Sequence, residues 1–298
     1  MRLSHRGLCV SDLERSTGYY QAVFGFRPEA VDTPAPTRAS GSAASRVRRL
    51  VNRQGVVLEL RQPVDPPGTG ERSRRSMTAR GITHLNFYVE DIDRVLADVR
   101  ANGGQVIGNT RVDAPLENDG SVSMLYTTDA DGIRTEVWTT RPYGTGNTMA
   151  TPVPGLERKF SHSGIMVGDC GRSLDFYAHL GLAKAETFDY REVPGALDAV
   201  LELSGSRLLA QMMRNADGEI IELLELAHPA TTGGTQREPA NKFGFHELAF
   251  TVDDVDGTAR ALVAAGGRIY ADERSTVGGK PALPCSDPDS VRLLLLQA

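Results

Sequence analysis

The stretch His5-Arg-Gly-Leu-Cys-Val-Ser-Asp12 is answered in the second half of the chain by His162-Ser-Gly-Ile-Met-Val-Gly-Asp169. Each copy is followed by Arg-Ser (Arg15-Ser16, Arg172-Ser173) and by an aromatic pair (Tyr19-Tyr20, Phe176-Tyr177). An internal repeat outranks residue-level propensity, because missing it miscalls the whole fold. A related pattern opens His84-Leu-Asn-Phe-Tyr-Val-Glu-Asp91 and runs from Ile92 to Gly104. It recurs around Leu248-Ala-Phe-Thr-Val-Asp-Asp254, with a tail ending Ala265-Gly266-Gly267. The chain therefore carries four related units.

In each unit a short alternating apolar run reads as a strand, and an Asp near the start of a helical pattern reads as an N-cap. The helices around Val95-Leu96-Val99 and Leu262-Val263 stop at glycine, which suits a left-handed C-terminal turn. Every unit finishes alike, a turn leading into an apolar strand: Gly55-Val-Val-Leu-Glu59, Gly132-Ile-Arg-Thr-Glu136, Gly218-Glu-Ile-Ile-Glu222 and Ser290-Val-Arg-Leu-Leu294. The unit is thus βαβββ. Connectors rich in breakers and charge run over Pro63–Arg80, Pro142–Gly155 and Pro229–Pro239. The middle one, with Pro142-Tyr-Gly-Thr-Gly and Pro152-Val-Pro-Gly155, marks the boundary between domains 1–141 (modules 1–61 and 81–141) and 156–298 (modules 156–227 and 242–298).

Composition narrows the function. At 298 residues the chain is about two domains long and can bury a sizeable core. Hydrophobic residues at 40% and charged residues at 24% are globular values, and a net charge of -5 gives no electrostatic reason to expect nucleic acid or an anionic membrane as partner. Cys9, Cys170 and Cys285 are scattered and odd in number, which indicates neither a disulfide framework nor a zinc knuckle and suits a reduced compartment. The opening residues contain no signal-peptide core, and no eighteen-residue apolar run crosses a bilayer, so a cytoplasmic protein is expected. The expected partner is a small molecule, with a homodimer compatible.

Four βαβββ units, each with a His or an acidic residue seven positions before an Asp and three of them with a Glu four after a turn Gly, resemble the vicinal-oxygen-chelate superfamily. That superfamily takes in glyoxalases, methylmalonyl-CoA epimerases, fosfomycin and bleomycin resistance proteins and extradiol dioxygenases. The resemblance covers nearly the whole chain and is specific for fold, an α+β architecture of two open barrels, but weak for reaction. It implies that the first and last strands of each unit point one side chain apiece into a cavity. For units one and two these are His5, Glu59, His84 and Glu136, residue types that hold one divalent ion (zinc, nickel, cobalt, manganese or iron(II)) without sulfur. A lone His beside an apolar strand is usually a hydrogen-bonded core residue. Glu59, inside Val56-Val57-Leu58-Glu59-Leu60, is harder to explain that way, since a buried unpaired charge is expensive.

The third unit keeps His162 and Glu222. In the fourth, Leu294 replaces the terminal Glu, and counting back seven from Asp254 reaches Glu247, with His246 one residue off and facing the other side of a strand. A bulge near Phe245–Leu248 would restore His246. A second site would therefore draw on His162, Glu222, Glu247 and His246, and is degenerate. Sequential pairing of units is expected because it needs only short connectors. The alternative, one with four and two with three, would instead join His84 and Glu136 to His162 and Glu222.

An ion chelating two vicinal oxygens stabilises negative charge on one of them, and a loosened Glu59 or Glu136 would then be the base. The resemblance thus implies a glyoxalase-type lyase or isomerase moving a proton alpha to a carbonyl. The alternatives are an iron(II) extradiol dioxygenase and a metabolite-binding or resistance protein. Arg46, Arg48, Arg49 and Arg72-Ser-Arg-Arg75 read as solvated loop charge, Tyr88, Tyr126 and Trp138 as packed or pocket-lining aromatics, and Met212 and Met213 as core filler.

Overall fold

The computed structural model describes residues 1–29, 44–116, 120–144 and 156–298. Of the expected boundary, residues 145–155 lie outside them.

Module one consists of β1 (Arg2–Cys9), α1 (Leu13–Phe24), β2 (Arg27–Pro28), β3 (Ala44–Val51) and β4 (Val57–Asp65). Module two is β5 (Gly81–Val89), α2 (Ile92–Ala101), β6 (Gln105–Pro115), β7 (Ser121–Thr128) and β8 (Arg134–Arg141). Module three is β9 (Arg158–Val167), α3 (Cys170–Ala178), β10 (Ala183–Asp189), the short α4 (Asp198–Leu201), β11 (Arg207–Arg214) and β12 (Ile220–His228). Module four is β13 (Gly244–Val252), α5 (Val255–Ala264), β14 (Arg268–Ile269), β15 (Ser275–Val277), β16 (Lys280–Ser286) and β17 (Arg292–Gln297). All four expected caps form. Asp12 accepts from the N–H groups of Glu14 and Arg15, Asp91 from Arg94, Asp169 from Arg172 and Asp254 from Gly257. Each satisfies helix donors that would otherwise have no partner.

Strand order corrects the expected sequential pairing. One nine-stranded sheet runs β14-β16-β17-β13-β1-β4-β3-β2 with β15 on β16, joining modules one and four. An eight-stranded sheet runs β10-β11-β12-β9-β5-β8-β7-β6, joining modules two and three. In each, the first strands of two modules pair antiparallel, β1 with β13 and β5 with β9. The physical reason is that modules one and two, like three and four, pack by their apolar faces, so their first strands' open edges turn to the other pair. The first strand of each module is bonded on one side by its own module's last strand, and its other edge needs a partner. The chain ends meet in the same sheet, with Arg2 opposite Thr251 and the Ala298 N–H bonded to the Val252 carbonyl.

Sequence neighbours meet through faces. One apolar cluster draws mainly on modules one and two, with Phe24 stacked on Phe87 at 3.9 Å between centroids, and another mainly on modules three and four. The four modules thus close a ring, alternately face-packed and edge-paired. The connectors between modules one and two and between three and four run side by side, bonding at Thr69–Asn241, Thr69–Phe243 and twice between Thr78–Arg80 and Thr232.

Each face-packed pair is clamped by a buried aspartate. Asp129 accepts from the N–H groups of Asp131 and Ile133 and from the Tyr20 hydroxyl, and Asp287 accepts from Asp289, Val291 and Tyr177. Burial pushes both carboxyls up to about 7, against the pull of these donors. A carboxyl whose folded pKa exceeds its unfolded value favours the fold while protonated. That contribution is complete below about pH 4 and is lost as pH rises to about 7. Asp129→Asn should therefore show a shallower fall of unfolding free energy between pH 4 and 7 than the parent in denaturant titrations; equal slopes would count against the clamp.

Candidate metal centre

Alternation on β5, β8, β9 and β12 sends one face to the core and the other into the concavity of the eight-stranded sheet. On β5 the core takes Leu85, Phe87 and Val89, leaving His84, Asn86 and Tyr88 on the concave face. The site assembled there consists of His84, Glu136, His162 and Glu222. His84 Nε2 lies 3.3 Å from Glu136 Oε2, 3.4 Å from Glu222 Oε2 and 3.4 Å from His162 Nε2, and His162 Nε2 lies 3.5 Å from Glu222 Oε2. The expected quartet is corrected accordingly: His84 and Glu136 belong to it, but His5 and Glu59 sit in the other sheet, and His162 and Glu222 take their places.

These residues fit a divalent ion. One ring nitrogen of His84 faces three potential ligand atoms, more than a single proton can serve. Separations of 3.3–3.5 Å approximate the ligand–ligand edge, about 3–3.4 Å, that bonds of 2.0–2.2 Å imply in four- to six-coordinate sites. His84, His162 and Glu222 offer ligand atoms all within 4.8 Å of one another. Each imidazole is oriented by the hydroxyl of the residue before it. Thr83 Oγ1 is 3.0 Å from His84 Nδ1 and Ser161 Oγ 3.0 Å from His162 Nδ1, and an Nδ1–H donated to that hydroxyl would leave each Nε2 lone pair for an ion. Burial works to raise the Glu222 carboxyl, but His162 and His84 outweigh it and hold it well below the usual carboxylate range. Gly164 pairs with His84 across the β5–β9 ladder, and a Cβ there would overlap the imidazole.

Glu136 is held differently. Asn86 Nδ2 donates to its Oε2 at 2.6 Å, and Trp138 Nε1 donates to Asn86 Oδ1 at 2.8 Å. Tyr126, opposite Glu136 in the β7–β8 ladder, turns an edge to His84 at 5.5 Å between centroids.

The other sheet holds the counterpart. His5, Glu59 and Glu247 bring ligand atoms within 4.8 Å of one another, with Leu294 in the fourth place. Two features set this cluster apart. Arg61 Nη2 lies 2.9 Å from Glu59 Oε1, so a buried guanidinium already answers one carboxylate, and burial with Arg49 and Arg6 lowers the His5 pKa to about 3. His246 falls in a bulge, since the register passes from Glu247 to Phe245 opposite Gly7 and Leu8. It lies 3.6 Å from Glu247 but lines the cleft with Arg80 and Gln236, and stays outside the three-residue group. The expected second site is thereby redistributed: His162 and Glu222 serve the first cluster, Glu247 the second.

Sequence reasoning missed Asn86 and Arg61. Both lie two residues from a ligand position on an alternating strand, which places them on the same face, and that offset was the available signal. Arg46, Arg48 and Arg49, expected in a loop, lie on strand β3 and are paired, the first two with Glu14 and the third with Glu29, while in the connector Arg74 pairs with Glu202 and Arg75 with Glu238.

Among the described residues no helix is long and apolar enough to cross a membrane. A probable lactoylglutathione lyase, chloroplastic, from Arabidopsis thaliana is 25% identical over 211 residues, 70% of this chain and 51% of that protein, so the chain spans about half the length of this curated relative. Its chloroplast description lends no support to a cytoplasmic location. Glyoxalase I from Zea mays superposes with a TM-score of 0.64 at 19% identity, covering 99% of this chain and 92% of that one. A putative dioxygenase from Bacillus subtilis does so with a TM-score of 0.56 at 13% identity, covering 100% and 85%. At such identities the likeness is one of fold. The sequence model of one family matches residues 2–137 and again 159–295, the two halves that the repeat divides. On these two matches, the chain belongs to the Glyoxalase/Bleomycin resistance protein/Dioxygenase superfamily.

Proposed function

We propose that the protein is a divalent-metal-dependent lyase or isomerase of glyoxalase type, acting on a small oxygen-rich substrate of the lactoylglutathione class. One observation carries this reading: two imidazoles and two carboxylates converge in one concavity, and the carboxylates are held in unlike ways. His84, His162 and Glu222 would hold the ion. Bound there, it would polarise two vicinal substrate oxygens as a Lewis acid.

The remaining chemistry falls to Glu136. In the hemithioacetal of methylglyoxal and glutathione, the carbon bearing sulfur loses its proton to the Glu136 carboxylate, and the electron pair shifts toward the neighbouring carbonyl. Glu136 returns the proton to that neighbouring carbon, and the hydroxyl proton passes from one substrate oxygen to the other. The product is the thioester isomer, with no oxidant consumed. A positioned carboxylate of this kind contributes about 10²–10⁴-fold.

The compact His84–His162–Glu222 triple, taken alone, also suits an iron(II) ring-cleaving dioxygenase. Oxygen uptake with a catechol under iron loading, absent under nickel, would decide for that reading.

Protein purified without chelator should carry about one divalent ion per chain by elemental analysis, lose turnover on chelation and regain it on adding nickel or zinc. No ion and no gain would sink both enzymatic readings. Glu136→Gln should lower turnover about 10²–10⁴-fold, whereas Glu247→Gln, in the cluster already answered by Arg61, should change it little; equal losses would refute the choice of site. Gly164→Ala should strip bound metal by displacing His84. Gly7→Ala, where the nearest atom to a new Cβ is Glu247 Cγ at 3.1 Å, should leave it in place.

A further inference from the structure

We infer that Asn86, oriented by the Trp138 indole N–H, is the positioning residue that holds Glu136 off the ion and aims it at the substrate; this rests on the proton-transfer reading above. The polarity of the relay is fixed by its ends. Trp138 Nε1 can only donate and an ionised Glu136 can only accept, so the amide between them has one orientation, with Oδ1 toward Trp138 and Nδ2 toward Glu136. The oxygen that Asn86 holds at 2.6 Å is Oε2, the same atom that lies 3.3 Å from His84 Nε2. A charge-assisted bond therefore occupies the carboxylate oxygen nearest the ion position. Glu222 is placed otherwise: its Oε2 faces both imidazoles and completes the compact triple, from which Glu136 is left out.

The relay is peculiar to module two. Two residues beyond the first ligand position, where module two has Asn86, the other modules have Gly7, Gly164 and Ala249. Two beyond the last, where it has Trp138, they have Arg61, Leu224 and Leu296. Neither Glu59 nor Glu222 can be held in this manner, so the repeat, which supplies equivalent carboxylates, is made unequal by two side chains. Trp138 is itself braced against Tyr88 at 4.6 Å between centroids, and Tyr88 stacks on Tyr143 at 4.7 Å.

The test uses metal-free full-length protein, its Asn86→Ala and Trp138→Phe variants, and cobalt(II) as the probe. Freed of its tether, Glu136 should swing onto the ion. Asn86→Ala should then bind cobalt as tightly as the parent or more so by calorimetry, and its visible absorption should weaken as the coordination number rises. Its kcat for the hemithioacetal should fall about 10–100-fold, the range typical for groups supporting a metal site, with KM nearly unchanged. Trp138→Phe keeps the ring and loses the donor, and should show a smaller fall in kcat at unchanged cobalt affinity. Loss of cobalt affinity in parallel with kcat in Asn86→Ala would reduce Asn86 to a structural brace and overturn the inference, as would unchanged kcat in Trp138→Phe. Should the parent bind cobalt without turning over the hemithioacetal, the functional reading fails by itself. The cobalt spectrum then still decides on the tether, a weakened one in Asn86→Ala upholding it and an unchanged one overturning it.

Discussion

The antiparallel pairing of β5 with β9 is the constraint on which the site depends. It sets His84 opposite Gly164, and because glycine offers no Cβ, the imidazole can lie over the partner strand and meet His162. Each of the two strands also carries its own module's last strand in parallel, β8 beside β5 and β12 beside β9, which brings in Glu136 and Glu222 from the flanks. Four polar side chains from four strands thus converge with no loop required. Sites built on strands are positioned more firmly than sites on loops.

The same geometry repeats in the other sheet and reaches a different chemical result. Gly7 lies opposite Glu247 as Gly164 lies opposite His84, yet Glu247 brings a carboxyl group where His84 brings an imidazole, and Leu294 brings no polar atom. Buried carboxylates need a cation, and Arg61 supplies one to Glu59 from within the chain. A duplicated scaffold therefore holds two clusters of potential ligand atoms, one of which has a guanidinium already paired with a carboxylate. Leu294 packs with Ala249 and Ala282 in a small apolar cluster, on the side where the first site has its Asn86–Trp138 relay.

Much of this was legible residue by residue. The repeat, the Asp caps, the alternation of strand faces and the ligand residue types all rest on local periodicity and spacing, and the structure bears out the four-module fold built from them. The departure in module four was legible too, since Leu294 has no ligand atom and Glu247 stands where the other modules have His. Asn86 and Arg61 were not singled out, because a polar residue two places from a ligand reads as ordinary strand decoration until its partner is known. Asp129 and Asp287 were not singled out either: their partners, Tyr20 and Tyr177, are each more than a hundred residues away.

By itself, then, the sequence determined the module, its number and the residue types at the candidate positions, apart from the choice between Glu247 and His246 in module four. It left the partnership between modules open, because a connector brings neighbours together equally well face to face or edge to edge. The tertiary structure decided that question through backbone hydrogen bonding. The free edge of each first strand is matched by another first strand, β1 by β13 and β5 by β9, while the apolar faces of sequence neighbours close on each other. Main-chain groups are alike in all residues, so no side-chain pattern announces which edge will meet which. That choice moved His5 and Glu59 out of the site, brought His162 and Glu222 in, and left His84 and Glu136 where either arrangement requires them.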